Sequence, residues 1–323
     1  SLPSILVDKA IDWAQQKAGF EFADAQAEAL KKSLSSKVSI LTGGPGTGKT
    51  TILRALVSIL RAKKTKIFLT APTGRAAKRM SESTSHFAQT IHRLLKFDPS
   101  QGGFSVNENS PLVCDYLIMD ESSMLDTRLA SALVRALPSN AHLLLVGDAD
   151  QLPSVGSGNV LKDLIECNIL PVTRLEVTFR QSDDSGIVGL AHSILSGKAS
   201  PPPPLEPHSA LPRNHDVHFI RAETPEECVR VVCNLYKRVL PNSFGVNPKN
   251  DLQVLAPLHR GVGGIGNLND QIRDAINPNG ATHIMGSLLF REGDKVIQTR
   301  NNYDKDVFNG DLGIISKVDN LNG

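Results

Sequence analysis

Residues 43–50 read Gly-Gly-Pro-Gly-Thr-Gly-Lys-Thr and match the pattern G-x-x-x-x-G-K-[ST]. A β-branched apolar run, 38–42, precedes them and a helical stretch, 50–61, follows, which is the strand–loop–helix context that the pattern requires. Glycines let backbone N–H groups turn inward around phosphates, and the N-terminus of the helix adds partial positive charge. The alternative, a glycine-rich turn beside an ordinary surface lysine, leaves the flanking strand and helix unexplained. The pattern therefore predicts a nucleotide site.

Each residue type in this loop has a predicted use. The Lys49 side chain reaches the β- and γ-phosphates, and the Thr50 hydroxyl ligates Mg²⁺. The residues predicted to bind the nucleotide from this loop are Gly44, Pro45, Gly46, Thr47, Gly48, Lys49, Thr50 and Thr51.

Short apolar runs alternate with helical stretches through the first part of the chain, which predicts βαβ units and a parallel sheet covered on both faces. The predicted strands are 38–42, 66–70, 116–119, 142–146 and 172–175, and the predicted helices are 22–34, 50–61, 75–83, 127–137 and 158–166. The interval 96–115 interrupts this alternation. It contains Gly102 and Gly103 between Phe97 and Phe104, which predicts a small hairpin inserted between strands.

The alternation of strands and helices ends near 182–186. A proline run, 201–204, follows and predicts a surface loop. A second αβ series follows, and from 288 the pattern turns to short strands. The predicted elements are a helix over 225–240, a strand over 252–256, a helix over 266–275 and strands over 295–299 and 313–318. We expect two α/β domains, 1–183 and 184–323, of which the second is incomplete.

Composition excludes several classes of protein. Lys plus Arg number 35 and Asp plus Glu 33, so the formal charge is only +2 and a polyanion site has to be a local groove. No apolar run approaches the roughly 18–20 residues of a membrane span, and no signal peptide is recognisable, which predicts a cytoplasmic protein without a membrane partner. The four cysteines form no C-x-x-C pair, so we expect neither a disulfide scaffold nor structural zinc.

Polar residues follow three further predicted strands or turns. Asp120 and Glu121 end the apolar run 117–119, which places their carboxylates over the ligand crevice of a parallel sheet. We expect Asp120 to hold Mg²⁺ and Glu121 to act as general base towards the attacking water. Gln151 can sense a γ-phosphate through its amide, and the guanidinium of Arg180 can stabilise transition-state charge. Taken without context, the residue types of Gln151 and Arg180 favour ordinary polar loop residues over catalytic ones.

Taken together, the motifs resemble those of superfamily 1 DNA helicases, and specifically of the RecD-like branch of superfamily 1B. The similar segments run from Gln26 almost to the C-terminus. They read GGPGTGKT, APTGRAA, TIHRLL, MDESSM, GDADQLPSVGSG, TFRQ, APLHRGVGGI and GDKVIQTRNNYDKDVFNGD. The long RecD-like proteins, rather than the exonuclease subunit, look most similar.

The resemblance implies two RecA-like domains, ATP and Mg²⁺ as cofactors, and single-stranded DNA and duplex junctions as partners. It implies translocation from 5′ to 3′ and unwinding in DNA recombination or repair. Gln26 matches the glutamine that reads adenine in the superfamily. The hairpin at 96–115 matches the pin that splits the duplex, and the strands from 288 resemble the start of an SH3-like insertion. The residues that the resemblance assigns to DNA are Pro72, Thr73, Arg75, His92 and Arg93.

The sequence departs from the family pattern in one respect. A T-x-H-K-x-Q-G-x-E-like segment and a late arginine motif, which follow the SH3-like insertion in superfamily 1, do not occur here. We therefore expect a fragment of a longer protein with impaired turnover. Two other functions stay open on the residues alone: a DNA-stimulated ATPase switch or loader that does not unwind, and a non-catalytic DNA-binding module. Protein partners are not predicted by the sequence.

Overall fold

The computed structural model describes residues 3–98, 100, 102–176, 185–206, 209–286, 288–300, 302, 305 and 307–319. The chain divides into two compact units. The first unit comprises Ser1–Gln181 with Asn301–Asn309, and the second comprises Ser182–Arg300 with Gly310–Gly323.

The first unit is built around a six-stranded sheet with the strand order β3-β2-β6-β7-β1-β8, in which every pair is parallel. Its strands are β1 Val38–Gly43, β2 Ile67–Ala71, β3 Ala88–Thr90, β6 Tyr116–Met119, β7 His142–Gly147 and β8 Val172–Leu175, with a separate hairpin of β4 Phe97–Asp98 and β5 Gly103–Phe104. Its helices are α1 Val7–Ala18, α2 Asp24–Ser35, α3 Lys49–Ala62, α4 Gly74–Thr84, α5 Ile91–Leu94, α6 Thr127–Ala136 and α7 Val160–Glu166. The predicted parallel α/β fold is confirmed here.

Helices cover both faces of this sheet, and each face has its own apolar core. One core is formed with α1 to α4 and includes the fully buried Leu30, Leu56 and Leu60. The other is formed with α5, α6 and α7 and includes Ile91 and Leu133. Burial on both faces explains why the strands read as continuous apolar runs rather than as alternating patterns.

The predicted hairpin is also present. Phe97 pairs with Phe104 and Asp98 with Gly103 in antiparallel register. Gly102 has a φ of +62°, a backbone conformation that glycine adopts without steric cost and that the turn requires.

The second unit contains helices and small two-stranded sheets. Its elements are α8 Gly186–Leu195, β9 Pro204–Leu205, β10 Phe219–Ile220, α9 Pro225–Asn234, α10 Leu240–Phe244, α11 Ile265–Ile276, β11 Thr282–Met285, β12 Leu288–Arg291, β13 Lys295–Ile297 and β14 Leu312–Ile314. A π-helical turn, Leu235–Val239, joins α9 to α10, so the helical segment predicted over 225–240 extends to Phe244. The Leu240 N–H bonds the Leu235 carbonyl, just before Pro241, which has no N–H to continue the ladder.

The strand predicted over 252–256 is wrong. These residues form no regular element in the part of the chain that the structure describes, and Leu255 is 91% exposed. A strand needs a neighbour to satisfy its backbone groups, and no described segment of the second unit pairs with this one. The apolar composition of 252–256 favours a strand, but it does not show whether another strand lies beside it.

No helix among the described residues is long and apolar enough to cross a membrane.

The fold predicts how fast the cysteines react. Cys114 is 5% exposed, and burial together with the Asp115 carboxylate raises the pKa of its thiol to about 11. Since the thiolate is the nucleophile, we expect iodoacetamide at pH 8 to modify the exposed Cys167 quickly and Cys114 far more slowly. Peptide mass mapping over time measures both rates in one sample. The same mapping in urea is the control, and there the two rates should converge; equal rates in the folded chain would contradict the placement of Cys114.

Candidate nucleotide and DNA site

The carboxyl ends of five parallel strands lie along one edge of the first unit's sheet. In the register of the sheet, Thr42 of β1 is level with Gly147 of β7, and Ala71 of β2 is level with Thr90 of β3. Strand β6 lies between β2 and β7. The loops that follow β1, β7 and β6 are therefore neighbours, and the loops after β2 and β3 continue the same row.

The phosphate loop follows β1 and ends where α3 begins at Lys49. Gly46 and Gly48 have φ values of +81° and +91°, which bend the backbone into the open turn that the motif needs. The Thr47 hydroxyl donates to the Gly44 carbonyl at 2.9 Å. The Lys49 ammonium donates to the carbonyls of Gly43 and Gly44, the latter at 2.8 Å, so it lies inside the loop.

The charges of three carboxylates act on the Lys49 ammonium. Burial lowers the pKa of Lys49, and the carboxylates of Asp148, Asp120 and Glu121 oppose that shift. Burial also raises the pKa of Asp120 to about 6; the neighbouring Glu121 carboxylate adds to this, whereas the Glu121 N–H and the Lys49 charge oppose it. The structure thus brings together the loop lysine and the two acids that the sequence predicted.

Glu121 occupies an unusual backbone position. Its φ is +53°, in the left-handed region that non-glycine residues seldom adopt. Its N–H donates to Asp120 Oδ1 at 2.9 Å, and the next residue, Ser122, donates its hydroxyl to the Val146 carbonyl at 2.8 Å. Hydrogen bonds on either side therefore hold the strained residue in place, which is a pattern found at functional sites.

The loop after β7 closes the other side of the site. Asp148 is buried, and its carboxylate accepts from the Asp150 N–H at 3.1 Å and from the Gln151 amide at 3.3 Å. The Ala149 N–H donates to the Thr42 hydroxyl at 3.1 Å, which joins this loop to the end of β1. Gln151 is thereby oriented by a buried acid within the same loop.

Two residues predicted to contact the nucleotide, Gln26 and Arg180, lie outside the loops described above. Gln26 is buried at the start of α2, where its Oε1 accepts from the Ala23 N–H at 3.2 Å and caps the helix. The same oxygen has a second lone pair, so a capping role and adenine contact are compatible. Arg180 lies outside the described residues.

The predicted DNA residues follow β2 and β3. The Thr73 hydroxyl accepts from the Ala76 N–H at 3.2 Å and caps α4, so Pro72 and Thr73 form the turn into that helix. Arg75 and Arg93 are exposed in the first turns of α4 and α5. The His92 ring packs against Phe97 and Phe104 of the hairpin, at centroid distances of 5.6 and 5.8 Å.

The donor set fits a magnesium–nucleotide complex. Hydroxyl and carboxylate oxygens, as on Thr50 and Asp120, are the ligands that Mg²⁺ prefers. Burial raises the pKa of Asp120, and a divalent cation bound there would favour its charged form. An ammonium inside a glycine-rich turn at a helix N-terminus fits phosphate oxygens.

Two contributors to this site were missed in the sequence. The motif GDADQLPSVGSG contains Asp148 without marking its role, yet Asp148 is the largest opposing charge on Lys49 and it orients Gln151. Thr42 lies in a predicted strand, yet its hydroxyl holds the loop after β7. An acid directly after a predicted parallel strand was the available signal for Asp148; no local signal marked Thr42.

A phosphate loop at the end of β1, with acids after the adjacent strands, defines a P-loop α/β nucleotide-binding domain. Comparison with known families agrees. The family model of an AAA domain matches residues 26–157, and the model of the ATP-dependent RecD-like DNA helicase SH3 domain matches residues 268–323.

Relatives are similar along almost the whole chain. The ATP-dependent RecD2 DNA helicase of Deinococcus radiodurans is 34% identical over 310 residues, which cover 95% of this chain and 40% of that protein. The RecBCD enzyme subunit RecD of Mycolicibacterium smegmatis is 30% identical over 329 residues, covering 92% of this chain and 57% of that protein. The chain therefore spans only about half the length of these relatives.

The fold is similar to that of a solved Pif1 helicase structure concerned with unwinding at forked duplex DNA. The TM-score is 0.53 at 16% identity, with 93% of this chain and 72% of that chain covered. These relatives and the SH3-domain model confirm the resemblance of the motifs to RecD-like helicases of superfamily 1B.

Two adjacent glycines of the phosphate loop should differ in their tolerance of a methyl group. A Cβ on Gly43 would lie 2.8 Å from both the Leu175 carbonyl oxygen and the Thr47 hydroxyl, whereas nothing lies within 4 Å of one on Gly44. We expect Gly43→Ala to lower the free energy of unfolding by about 1–3 kcal/mol through overpacking. The matched control Gly44→Ala should change it by less than about 0.5 kcal/mol.

Urea unfolding followed by tryptophan fluorescence measures this difference, because Trp13, the single tryptophan, lies in α1 of the first unit. Equal losses in the two variants would show that the loop relaxes around Gly43.

Proposed function

We propose that this chain is the ATP-hydrolysing motor core of a DNA helicase and that it binds single-stranded DNA beside the nucleotide. One observation carries the proposal. The phosphate loop after β1 and the acids after β6 and β7 lie at one edge of a single sheet. The exposed basic turns after β2 and β3 lie at the same edge. The phosphate loop after β1 lies three strand spacings from β2 and four from β3, roughly 14–19 Å, and β6 with its acids lies between them.

The residues have distinct roles in this proposal. Lys49 leaves the carbonyls of the loop and pairs with the β- and γ-phosphates. Thr50 and Asp120 hold Mg²⁺, which neutralises phosphate charge when bound. Glu121 takes a proton from the attacking water, and Gln151, oriented by Asp148, orients that water or contacts the γ-phosphate. Arg180 completes the charge around the transferred group.

The activity of the longer protein extends this proposal. Relatives named as a helicase and as a subunit of the RecBCD enzyme support DNA unwinding. From the family resemblance we propose movement from 5′ to 3′ and work in DNA recombination or repair, with single-stranded DNA and duplex junctions as partners.

Lys49 and Glu121 should separate binding from turnover. Lys49→Ala removes the charge that faces the phosphates, so we expect both ATP affinity and hydrolysis to fall. Glu121→Gln keeps the shape but loses the base, so ATP affinity should stay and hydrolysis should fall by about 10²–10⁴-fold. A fluorescent ATP analogue gives the affinity, and phosphate release with and without single-stranded DNA gives the turnover.

The matched controls are Lys63→Ala and Glu21→Gln, both at exposed positions outside the site. They should leave affinity and turnover unchanged. Equal losses of affinity in Lys49→Ala and Glu121→Gln would remove the division of roles. Turnover that DNA does not stimulate would contradict the motor, and DNA-stimulated turnover without strand separation would favour the switch or loader.

DNA binding should depend on Arg75 and Arg93 without depending on base sequence. Removing two phosphate contacts should reduce the salt dependence, d log K/d log [salt], by roughly 1.4 on single strands. Fluorescence anisotropy on two unrelated oligonucleotides at several salt concentrations measures both the loss of affinity and this slope.

The double variant Arg54→Ala with Arg61→Ala is the control, because these exposed α3 arginines donate to the carbonyls of Ser83 and Ser85. It removes the same charge from a different surface. An equal loss in both double variants would indicate a nonspecific charge effect, and a loss confined to one oligonucleotide would indicate base readout.

A further inference from the structure

Helix α6 contacts the hairpin insertion near both of its ends. Near its start, Arg128 donates from Nη2 to the Gly102 carbonyl at 3.1 Å, at the hairpin turn. Near its end, Arg135 pairs with Glu108 at 3.2 Å, in the segment that follows the hairpin. The helix therefore braces the insertion at two separate points.

The loop after β7 contacts the start of α6 from the other side. A Cβ on Gly156 would lie 2.2 Å from Asp126 Oδ2, and one on Gly158, whose φ is +102°, would lie 2.0 Å from the Thr127 hydroxyl. The Thr127 N–H donates to the Ser157 carbonyl at 3.0 Å. Only glycine permits an approach this close, so the loop and the helix start are in direct backbone contact.

This loop is tied together internally. The Ser154 hydroxyl lies 2.8 Å from the Gly156 carbonyl and 2.9 Å from the Gly158 carbonyl, so it donates to this pair. At the beginning of the loop Gln151 bonds the buried Asp148. A displacement of Gln151 therefore reaches the glycines that touch α6 through a short, constrained segment.

The base of the hairpin rests close to the same helix start. Phe97 and Phe104 lie 5.2 Å apart as a cross-strand pair, and both contact the His92 ring. Burial lowers the pKa of His92; the charge of Asp126 opposes this shift, and that of Arg128 adds to it. The charges of the residue that caps α6 and of the residue that holds the hairpin turn thus both act on the aromatic cluster.

We propose that the start of α6, Asp126–Arg128, connects the nucleotide-sensing loop to the hairpin, and that Arg128 is the positioning residue through which bound nucleotide sets the hairpin. The inference rests on the proposed function, because the ligand that moves Gln151 is the nucleotide. A helix of 10 residues, about 15 Å long, moves as one body when its first turn is displaced. The hairpin turn and the residue after the hairpin, both held by this helix, follow it.

Hydrogen–deuterium exchange with mass spectrometry tests the connection on this chain. The probe is ADP with aluminium fluoride and Mg²⁺, which mimics the γ-phosphate in transfer. In the unmodified chain we expect exchange of peptides covering 96–106 to slow when the probe is bound. Arg128→Ala should lose this slowing, Arg128→Lys should restore part of it, and the phosphate-loop peptides should be protected equally in all three.

The control is Arg54→Ala, which removes another exposed arginine that donates to a carbonyl, that of Ser83. It should keep the nucleotide-dependent slowing in the hairpin. A purely structural brace would make the hairpin exchange faster in Arg128→Ala with and without the probe by the same factor, and that result would overturn the proposal.

A second variant acts from the loop side. Gly156→Ala places a methyl group against Asp126, so it should reduce the hairpin response while the phosphate loop still shows protection. The two proposals fail in different ways. If the phosphate-loop peptides show no protection in the unmodified chain, the nucleotide site itself is wrong; if they do and the hairpin does not respond, only the connection through α6 is wrong.

Discussion

Parallel pairing of β1 with β7 and β8 is the constraint on which the site depends. This register sets the end of β1 level with the end of β7, and Gly43 level with Leu175 of β8. The phosphate loop therefore starts between two other strand ends, one of which supplies Asp148. Since the backbone bonds of a parallel sheet fix these positions before any side chain is considered, the lysine and the carboxylates meet without needing long flexible segments.

Local patterns predicted five of the six sheet strands of the first unit and the helices α2, α3, α4, α6 and α7, but not the short elements β3 and α5. Strands buried on both faces read as apolar runs, and Thr73, Thr90 and Asp126 cap their helices as their residue types favour. The strand order was not predictable from these patterns, because it depends on which runs pair across the sheet. For the same reason the close contacts of Gly156 and Gly158 with α6 were not recognised, although both glycines were visible in the motif.

The second unit shows the limit of such patterns. Helix α8 is mostly apolar, yet none of its residues is buried, and Ile187 and Ile194 are more than half exposed at 55% and 58%. The run 252–256 is also apolar and forms no strand. An apolar composition indicates that a segment favours burial, but which element buries it depends on the whole fold. Predictions from apolar patterns therefore succeeded for the strands of the first unit, which pair with one another in a single sheet.

The left-handed backbone conformation of Glu121 lowers stability at a position proposed for catalysis. A glycine there would relieve a conformational cost of about 1 kcal/mol, and an asparagine would relieve part of it. A substitution chosen only for resistance to unfolding would favour those residues and remove the carboxylate proposed as the general base. Under that proposed role, the backbone strain at position 121 is the cost of placing an acid there, and stabilising substitutions designed for this chain should leave position 121 untouched.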